Sequence, residues 1–293
     1  MTYSKEYNMS GIIDGKLVAG ELRASIKSSI EEFTARHGVT PGLAVILVGD
    51  DPASHVYVRN KHKACADAGM NSIQIEMPAD TSESELLKKI EELNADDSVH
   101  GILVQLPLPK HINEDNVINA ISPDKDVDAF HPVNVGKIMT GKYDFLPCTP
   151  AGIMSLLDYY NVEIEGKNCV VIGRSNIVGK PMALLLLERN GTVTVTHSRT
   201  KNLAEVAASA DILVVAIGKA NFVKAEFVKE GAVVVDVGIN RMPDGKLAGD
   251  VDFASVSSKA SLITPVPGGV GPMTITTLLR NTLKAAEKKL AQK

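Results

Sequence analysis

The sequence predicts an α/β protein of two domains with a cleft between them, the second domain built on a doubly wound parallel sheet. Three observations carry that reading. Short β-branched apolar runs alternate with helix-period segments, the pattern of parallel strands joined by right-handed crossover helices. A Pro/Gly-containing stretch, Lys142–Gly152, divides the alternation into two series. The chain length of 293 residues suits two cores better than one.

Leu17, Val18, Leu22, Ile26, Ile30 and Phe33 recur at helical steps, predicting a helix from residue 16 to about 37. Gly42–Val48 is a continuous apolar run, as expected of a strand buried on both faces. A helix follows over Ala53–Ala68, then a strand over Ser72–Met77. Ser82 and Glu85 form a capping box that opens a helix through Leu93. Gly101–Leu106 reads as a third strand and His111–Ile121 as another helix. Beyond the boundary, helix Ala151–Tyr160 leads into strands near 168–172, 192–196, 212–217, 232–236 and 261–264. Pro265–Pro272 reads as a loop rich in glycine and proline, and a lysine-rich amphipathic helix over Met273–Ala291 closes the series.

Hydrophobic residues make up 44% of the chain and charged residues 23%, which excludes a disordered or fibrous protein. With a formal net charge of −4 and no basic block, nucleic acid is not an expected partner. The apolar runs are too short to span a bilayer, and the N-terminal Met-Thr-Tyr-Ser-Lys-Glu shows no apolar export signal. Cys65, Cys148 and Cys169 are odd in number and form no C-x-x-C pair, so a reducing cytoplasm is expected. The histidines show no metal-ligand spacing, and no metal is expected.

Val170–Pro181 carries the clearest signal. An apolar run ends at Gly173, passes through a turn of small residues, and enters a helix with Pro181 near its start. A parallel strand presents a dinucleotide phosphate to a helix N-terminus in this way, making the second domain Rossmann-type. The match to G-x-G-x-x-G is imperfect, because Ser175 replaces the second glycine and Gly179 comes one residue late. An NAD site normally carries an acid about 20 residues after the first glycine. Here the chain reads His197-Ser198-Arg199-Thr200, with Arg174 in the loop itself. A hydroxyl and two guanidinium groups suit a 2′-phosphate, so NADP is expected over NAD.

Ligands of open parallel sheets sit beyond the carboxyl ends of strands, which draws Gly49–Ser54, Gln105–Pro109 and Gly173–Gly179 towards one cleft. On a helix starting near Ala53, Ser54, Tyr57 and Lys61 share one face. A basic role for Lys61 would require a pKa well below the ordinary lysine value, a shift that partial burial in the interdomain cleft would supply. Spacing alone also fits a surface lysine near a half-buried tyrosine. Gln105 at a strand end and the acids of Pro123–Asp128 either belong to the site or are plain turn chemistry.

Six segments, "VGDDPASHVYVRNK", "GILVQLPLP", "PDKDVDAFHPVNVGK", "PCTPAG", "GRSNIVGKPMALLL" and "TPVPGGVGPMT", together resemble the methylenetetrahydrofolate dehydrogenase/methenyltetrahydrofolate cyclohydrolase family. The resemblance runs in order from about Ile12 to Leu290. It implies a bifunctional enzyme of one-carbon metabolism that oxidises 5,10-methylenetetrahydrofolate with NADP and hydrolyses the methenyl product to 10-formyltetrahydrofolate. It also implies a cytoplasmic homodimer, joined through the C-terminal domain, that serves purine biosynthesis. Matched residue by residue, Lys61, Tyr57, Gln105 and Asp128 become the catalytic set. Ser54, Tyr57, Asp128, Gly271 and Pro272 become substrate contacts. The cofactor contacts become Gly173, Arg174, Ser175, Val178, Gly179, Ser198, Arg199, Gly218 and Ile239. One departure is visible, Ala129 where the family pattern leads us to expect glycine.

The expected domains are 1–147, the folate-binding catalytic domain joined by the C-terminal helix 273–293, and 148–272, the Rossmann domain. A hydroxy- or amino-acid dehydrogenase fits the same architecture. It would need a histidine–acid pair or a carboxylate-binding arginine, and no histidine falls at a predicted strand end of the first domain beside an obvious acid. A non-catalytic dinucleotide sensor is the third reading and would tolerate loss of Lys61 and Gln105.

Overall fold

The computed structural model describes residues 11–291. Residues 1–10, read above for an export signal, and the last two residues of the predicted C-terminal helix lie outside the described residues.

The first half runs α1 (Gly15–His37), β1 (Gly42–Val48), α2 (Pro52–Ala68), β2 (Asn71–Met77), α3 (Glu83–Ala95), β3 (Gly101–Val104), α4 (Glu114–Ala120), α5 (Pro132–Met139) and α6 (Cys148–Tyr159). The second runs β4 (Asn168–Ile172), α7 (Gly179–Glu188), β5 (Thr192–Thr196), α8 (Leu203–Ala207), β6 (Ile212–Val215) and β7 (Val233–Asp236). It ends with the hairpin β8 (Asn240–Arg241) and β9 (Leu247–Ala248), then α9 (Phe253–Val256), β10 (Leu262–Ile263) and α10 (Val270–Ala291).

Strands β2-β1-β3 form a parallel three-stranded sheet. Every residue of β1 is buried because both faces are covered. Leu43, Val45 and Leu47 pack with α2, α1 and α10, while Ala44, Ile46 and Val48 pack with α3 and α4. The predicted capping box is formed: Ser82 Oγ accepts from Glu85 N, and Glu85 accepts from Ser82 N. Strands β10-β7-β6-β4-β5 form a parallel five-stranded sheet. In that order β4 has β5 on one side and β6 on the other, so the winding reverses between β4 and β6, where doubly wound sheets bind ligands.

α10 crosses between the two sheets. Leu278, Leu279 and Leu283 join the core of the first, while Val270 and Met273 join that of the second. Close passage of α10 over α6 requires Gly152, where a Cβ would lie 2.8 Å from Met273 Cβ.

The sequence reading needs correction at several edges. β3 ends at Val104 rather than Leu106; Gln105 N still bonds Ile46 O, but Pro107 and Pro109 have no N–H to continue a ladder. The helix expected over His111–Ile121 occupies Glu114–Ala120, because Asn113 caps the amides of Asp115 and Asn116. α6 begins at Cys148 rather than Ala151, so half of the supposed linker Lys142–Gly152 is helix. α10 begins at Val270, which places Gly271 and Pro272 in its first turn rather than in a loop. The third strand of the second series stops at Val215 rather than 217. The short helix α5 was not anticipated. Ile12 bridges Ile263 and extends the second sheet.

Candidate active site

α2 positions the lysine. Asp51 accepts from Ser54 N and Ser54 Oγ, both at 2.8 Å, and Pro52 supplies a preset first turn. About two turns after Ser54, Lys61 is only 9% exposed. Its Nζ donates to Gln105 Oε1 at 2.9 Å, from the middle of α2 to the residue just past β3. Gln105 Nε2 donates to Leu106 O at 2.6 Å, which fixes the amide so that its oxygen faces the lysine. Burial lowers the Lys61 pKa from the usual lysine value, and the charge of Asp128 opposes that shift.

Asp128 reaches the lysine by a backbone route. Ile102 N donates to Lys125 O at 2.8 Å, laying the 125–127 segment along β3. Gly101 admits it, since a Cβ there would meet Val127 Cγ1 at 2.8 Å. Asp126 then ties the following turn, accepting from Phe130 N, His131 N and Asn134 Nδ2. Ala129 sits inside this turn at φ +57°, fully buried. Its left-handed conformation explains why glycine is the expected residue there.

Sequence reasoning missed two buried neighbours of this group. Cys148, at the start of α6, donates to Val127 O at 3.4 Å, and burial together with Asp128 raises its thiol pKa well above the usual value. Asn281 of α10 donates to Val127 O at 2.8 Å and Leu146 O at 3.0 Å, pinning the turn that carries Asp128. Cys148 stands in the quoted motif "PCTPAG", but cysteine spacing speaks only to disulfide or zinc pairing; Asn281 carries no local signal.

Tyr57 lies one turn before Lys61 and is 37% exposed. Partial burial raises its pKa, and the Arg241 guanidinium of the β8–β9 hairpin opposes the shift from the second half of the chain. Ser54 is buried, its hydroxyl engaged by Asp51. Gly271 and Pro272 are half-buried in the first turn of α10, where Arg23 donates to Pro272 O at 2.9 Å. Ile239 Cδ1 would lie 3.6 Å from a Cβ on Gly271, so a predicted cofactor residue and a predicted substrate residue adjoin.

The predicted dinucleotide loop follows β4. Gly173 has φ +127°, and a Cβ there would lie 2.2 Å from Ala216 O at the end of β6. A Cβ on Gly179 would lie 2.3 Å from Gly173 O, so both glycines permit close approach of helix, strand and loop. Ser175 Oγ accepts from Val178 N and Gly179 N, capping α7. β4 and β5 are in register at Ile172 and Thr196. Arg174 and Ser198 therefore leave neighbouring strands at one level, and both are exposed with Arg199. Gly218, also exposed, follows β6 at φ +66°. The structure thus gathers Lys61, Gln105, Asp128 and Tyr57 at the first sheet, and Gly173–Gly179, Ser198, Arg199 and Gly218 at the carboxyl edge of the second.

Residues 13–128 match the model of the tetrahydrofolate dehydrogenase/cyclohydrolase catalytic domain, and residues 147–290 match that of the NAD(P)-binding domain of the same enzymes. The bifunctional protein FolD of Ruminiclostridium cellulolyticum is 61% identical over 274 residues, 94% of this chain and 96% of that protein. The crystal structure of the bifunctional FolD methylenetetrahydrofolate dehydrogenase/cyclohydrolase from Campylobacter jejuni superposes with a TM-score of 0.92 at 51% identity, covering 95% of this chain and 99% of that one. The Trypanosoma brucei enzyme, complexed with NADP cofactor and inhibitor, gives a TM-score of 0.92 at 39% identity, over 95% of this chain and 98% of that one.

Proposed function

The chain belongs to the tetrahydrofolate dehydrogenase/cyclohydrolase family, and from that premise we propose how its residues divide the work of two reactions. The enzyme oxidises 5,10-methylenetetrahydrofolate to the methenyl compound with NADP and hydrolyses that to 10-formyltetrahydrofolate. Both rival readings, the hydroxy- or amino-acid dehydrogenase and the non-catalytic sensor, give way to it.

The second sheet fits the cofactor on its own geometry. The glycine approaches at Gly173 and Gly179 open the strand–helix turn, and the exposed Arg174 and Ser198, groups suited to phosphate, stand at one level beside it, with exposed Arg199 next in the chain. Those residues would hold NADP with Gly173, Ser175, Val178, Gly179, Gly218 and Ile239. Bound there, NADP supplies the hydride acceptor. The protein's part in oxidation is orientation: Asp128 binds the pterin, Tyr57 stacks on it, and Ser54, Gly271 and Pro272 complete the wall.

Hydrolysis is assigned to Lys61. Water adds to the methenyl carbon, forming a C–O bond as one proton passes to the neutral Lys61 amine. The bond from that carbon to N5 then breaks as Lys61 returns the proton to N5. The second water proton is released to solvent, leaving 10-formyltetrahydrofolate. A lysine held by Gln105 and kept below its usual pKa by burial gives up and takes back a proton more readily than a free one. That single bonded, buried amine carries the assignment. Lys61→Met should abolish methenyl hydrolysis, followed as loss of methenyl absorbance, while NADP binding persists. Hydrolysis at the ordinary rate would remove Lys61 from this role.

We further propose the domain division 1–147 and 148–272, with α10 returning to the first unit, and a cytoplasmic homodimer serving purine biosynthesis. Ile12 covers one edge of the five-stranded sheet, whereas β5 ends the other, with Val195 39% exposed and Leu187 of neighbouring α7 59% exposed. An edge strand flanked by exposed apolar residues suits a second copy. Neither nucleic acid nor membrane is proposed as a partner; no described helix is long and apolar enough to cross a membrane.

A further inference from the structure

Three consecutive backbone N–H groups after β6 point at a single buried carboxylate. Asp250 Oδ2 accepts from Ile217 at 2.7 Å and Gly218 at 2.9 Å, and its Oδ1 accepts from Lys219 at 2.7 Å. Successive N–H groups turned to one side form an anion-binding concavity. Here the anion is the protein's own side chain, fully buried and more than thirty residues away in sequence.

The same carboxylate reaches a second element. Oδ1 also accepts from Asn240 Nδ2 at 2.9 Å, in the strand of the hairpin that carries Arg241. Asp250 N donates to Asp236 Oδ1 at 2.9 Å, which fixes the backbone beneath it. Two glycines make room for the pair of acids. A Cβ on Gly238 would lie 2.3 Å from Asp250 Oδ1, and one on Gly249 would lie 1.8 Å from Asp236 Oδ2.

The loop so held borders the crevice between β4 and β6, where Ala216 O lies against Gly173. We propose that Asp250 is a positioning residue for the dehydrogenase reaction: by gripping residues 217–219 and Asn240, it sets the Gly218 wall against which the dinucleotide seats. The inference rests on the assignment of that crevice to NADP. The hydrolytic group Lys61, Gln105 and Asp128 lies at the other sheet and shares no hydrogen bond with Asp250.

The test compares Asp250→Asn with Arg174→Ala. An asparagine of the same shape turns an N–H₂ towards backbone donors. NADP affinity by titration calorimetry should fall about tenfold or more, as expected for lost hydrogen bonds to a charged acceptor. The NADP KM should rise in step while kcat at saturating NADP is largely kept, and methenyl hydrolysis without NADP should be unchanged. Unchanged NADP affinity, or hydrolysis falling in parallel, overturns the proposal. Arg174→Ala separates the two ideas: weakened NADP binding there with normal binding in Asp250→Asn retains the crevice and removes Asp250. Normal binding in both removes the crevice assignment itself. If Asp250→Asn fails to fold, Asn240→Ala leaves the grip on residues 217–219 in place and removes the hairpin's bond to Asp250, together with one to Ala248 O; NADP affinity should then fall about threefold with hydrolysis intact, and an unchanged affinity overturns the proposal.

Discussion

The Lys61 ammonium and the Gln105 amide meet at 2.9 Å, joining the middle of a helix to the residue just past a strand. The contact replaces part of the water that lysine would hold in solution. It also leaves the amine's charge state governed by two opposing influences, burial and the nearby Asp128. Removing either one moves the balance in a known direction.

Asp128→Asn should therefore shift the pH dependence of hydrolysis. Burial lowers the Lys61 pKa and Asp128 raises it, so neutralising Asp128 lowers it further. A base must be deprotonated to act, and the rising limb of kcat against pH should move to lower pH in the variant. KM for the folate should rise as well, through loss of the pterin contact. A limb that stays in place or moves to higher pH would show that a group other than Lys61 governs the step.

Asp236 supplies a second pH effect, this time on stability. Burial and the neighbouring Asp250 carboxylate push its pKa up from 3.8 to about 6, against three backbone N–H bonds that favour the anion. A carboxyl whose folded pKa exceeds its unfolded value binds protons more tightly when folded. Its stabilising contribution is complete below about pH 4 and is lost as pH rises through 6, a span worth on the order of 3 kcal/mol. Asp236→Asn lacks this titration. Denaturant unfolding should show the stability of the unmodified protein, relative to that variant, increasing from pH 7 to pH 5. A constant difference over that interval would place the Asp236 pKa near its ordinary value.

The local elements were legible because their causes are local. The apolar run of β1 and the Ser82–Glu85 box each hold their whole explanation within seven residues. Lys61 was legible as a candidate, but its burial depends on Gln105, 44 positions away, and on the segment bearing Asp128. α5 escaped notice because its eight residues follow an acid-rich turn, although Pro132 at its first position was a usable start signal. The start of α10 was misplaced because a Gly/Pro run reads as loop, whereas proline is tolerated in a first helical turn. The grip of Asp250 on residues 217–219 was invisible, since nothing local tells a carboxylate that binds backbone amides from one that faces water.

Ala129 tests how much of the Asp128 turn depends on glycine-like freedom. Its φ of +57° costs an L-residue about 1–2 kcal/mol. The methyl group is fully buried among Leu103, Val127 and Phe145 in the first core, which returns about 0.8 kcal/mol. Glycine would relieve the strain, lose the methyl contact and pay about 0.5–1 kcal/mol in unfolded-chain entropy. These effects nearly cancel, so Ala129→Gly should change unfolding stability by less than about 1 kcal/mol and leave methenyl hydrolysis intact. Ala129→Val should destabilise strongly, because a β-branched side chain tolerates this conformation poorly and the methyl it would enlarge is already fully buried. Urea unfolding of the two variants checks the pair. Equal losses in both would show that the contacts of the alanine methyl, rather than the left-handed backbone, decide which residue the turn accepts.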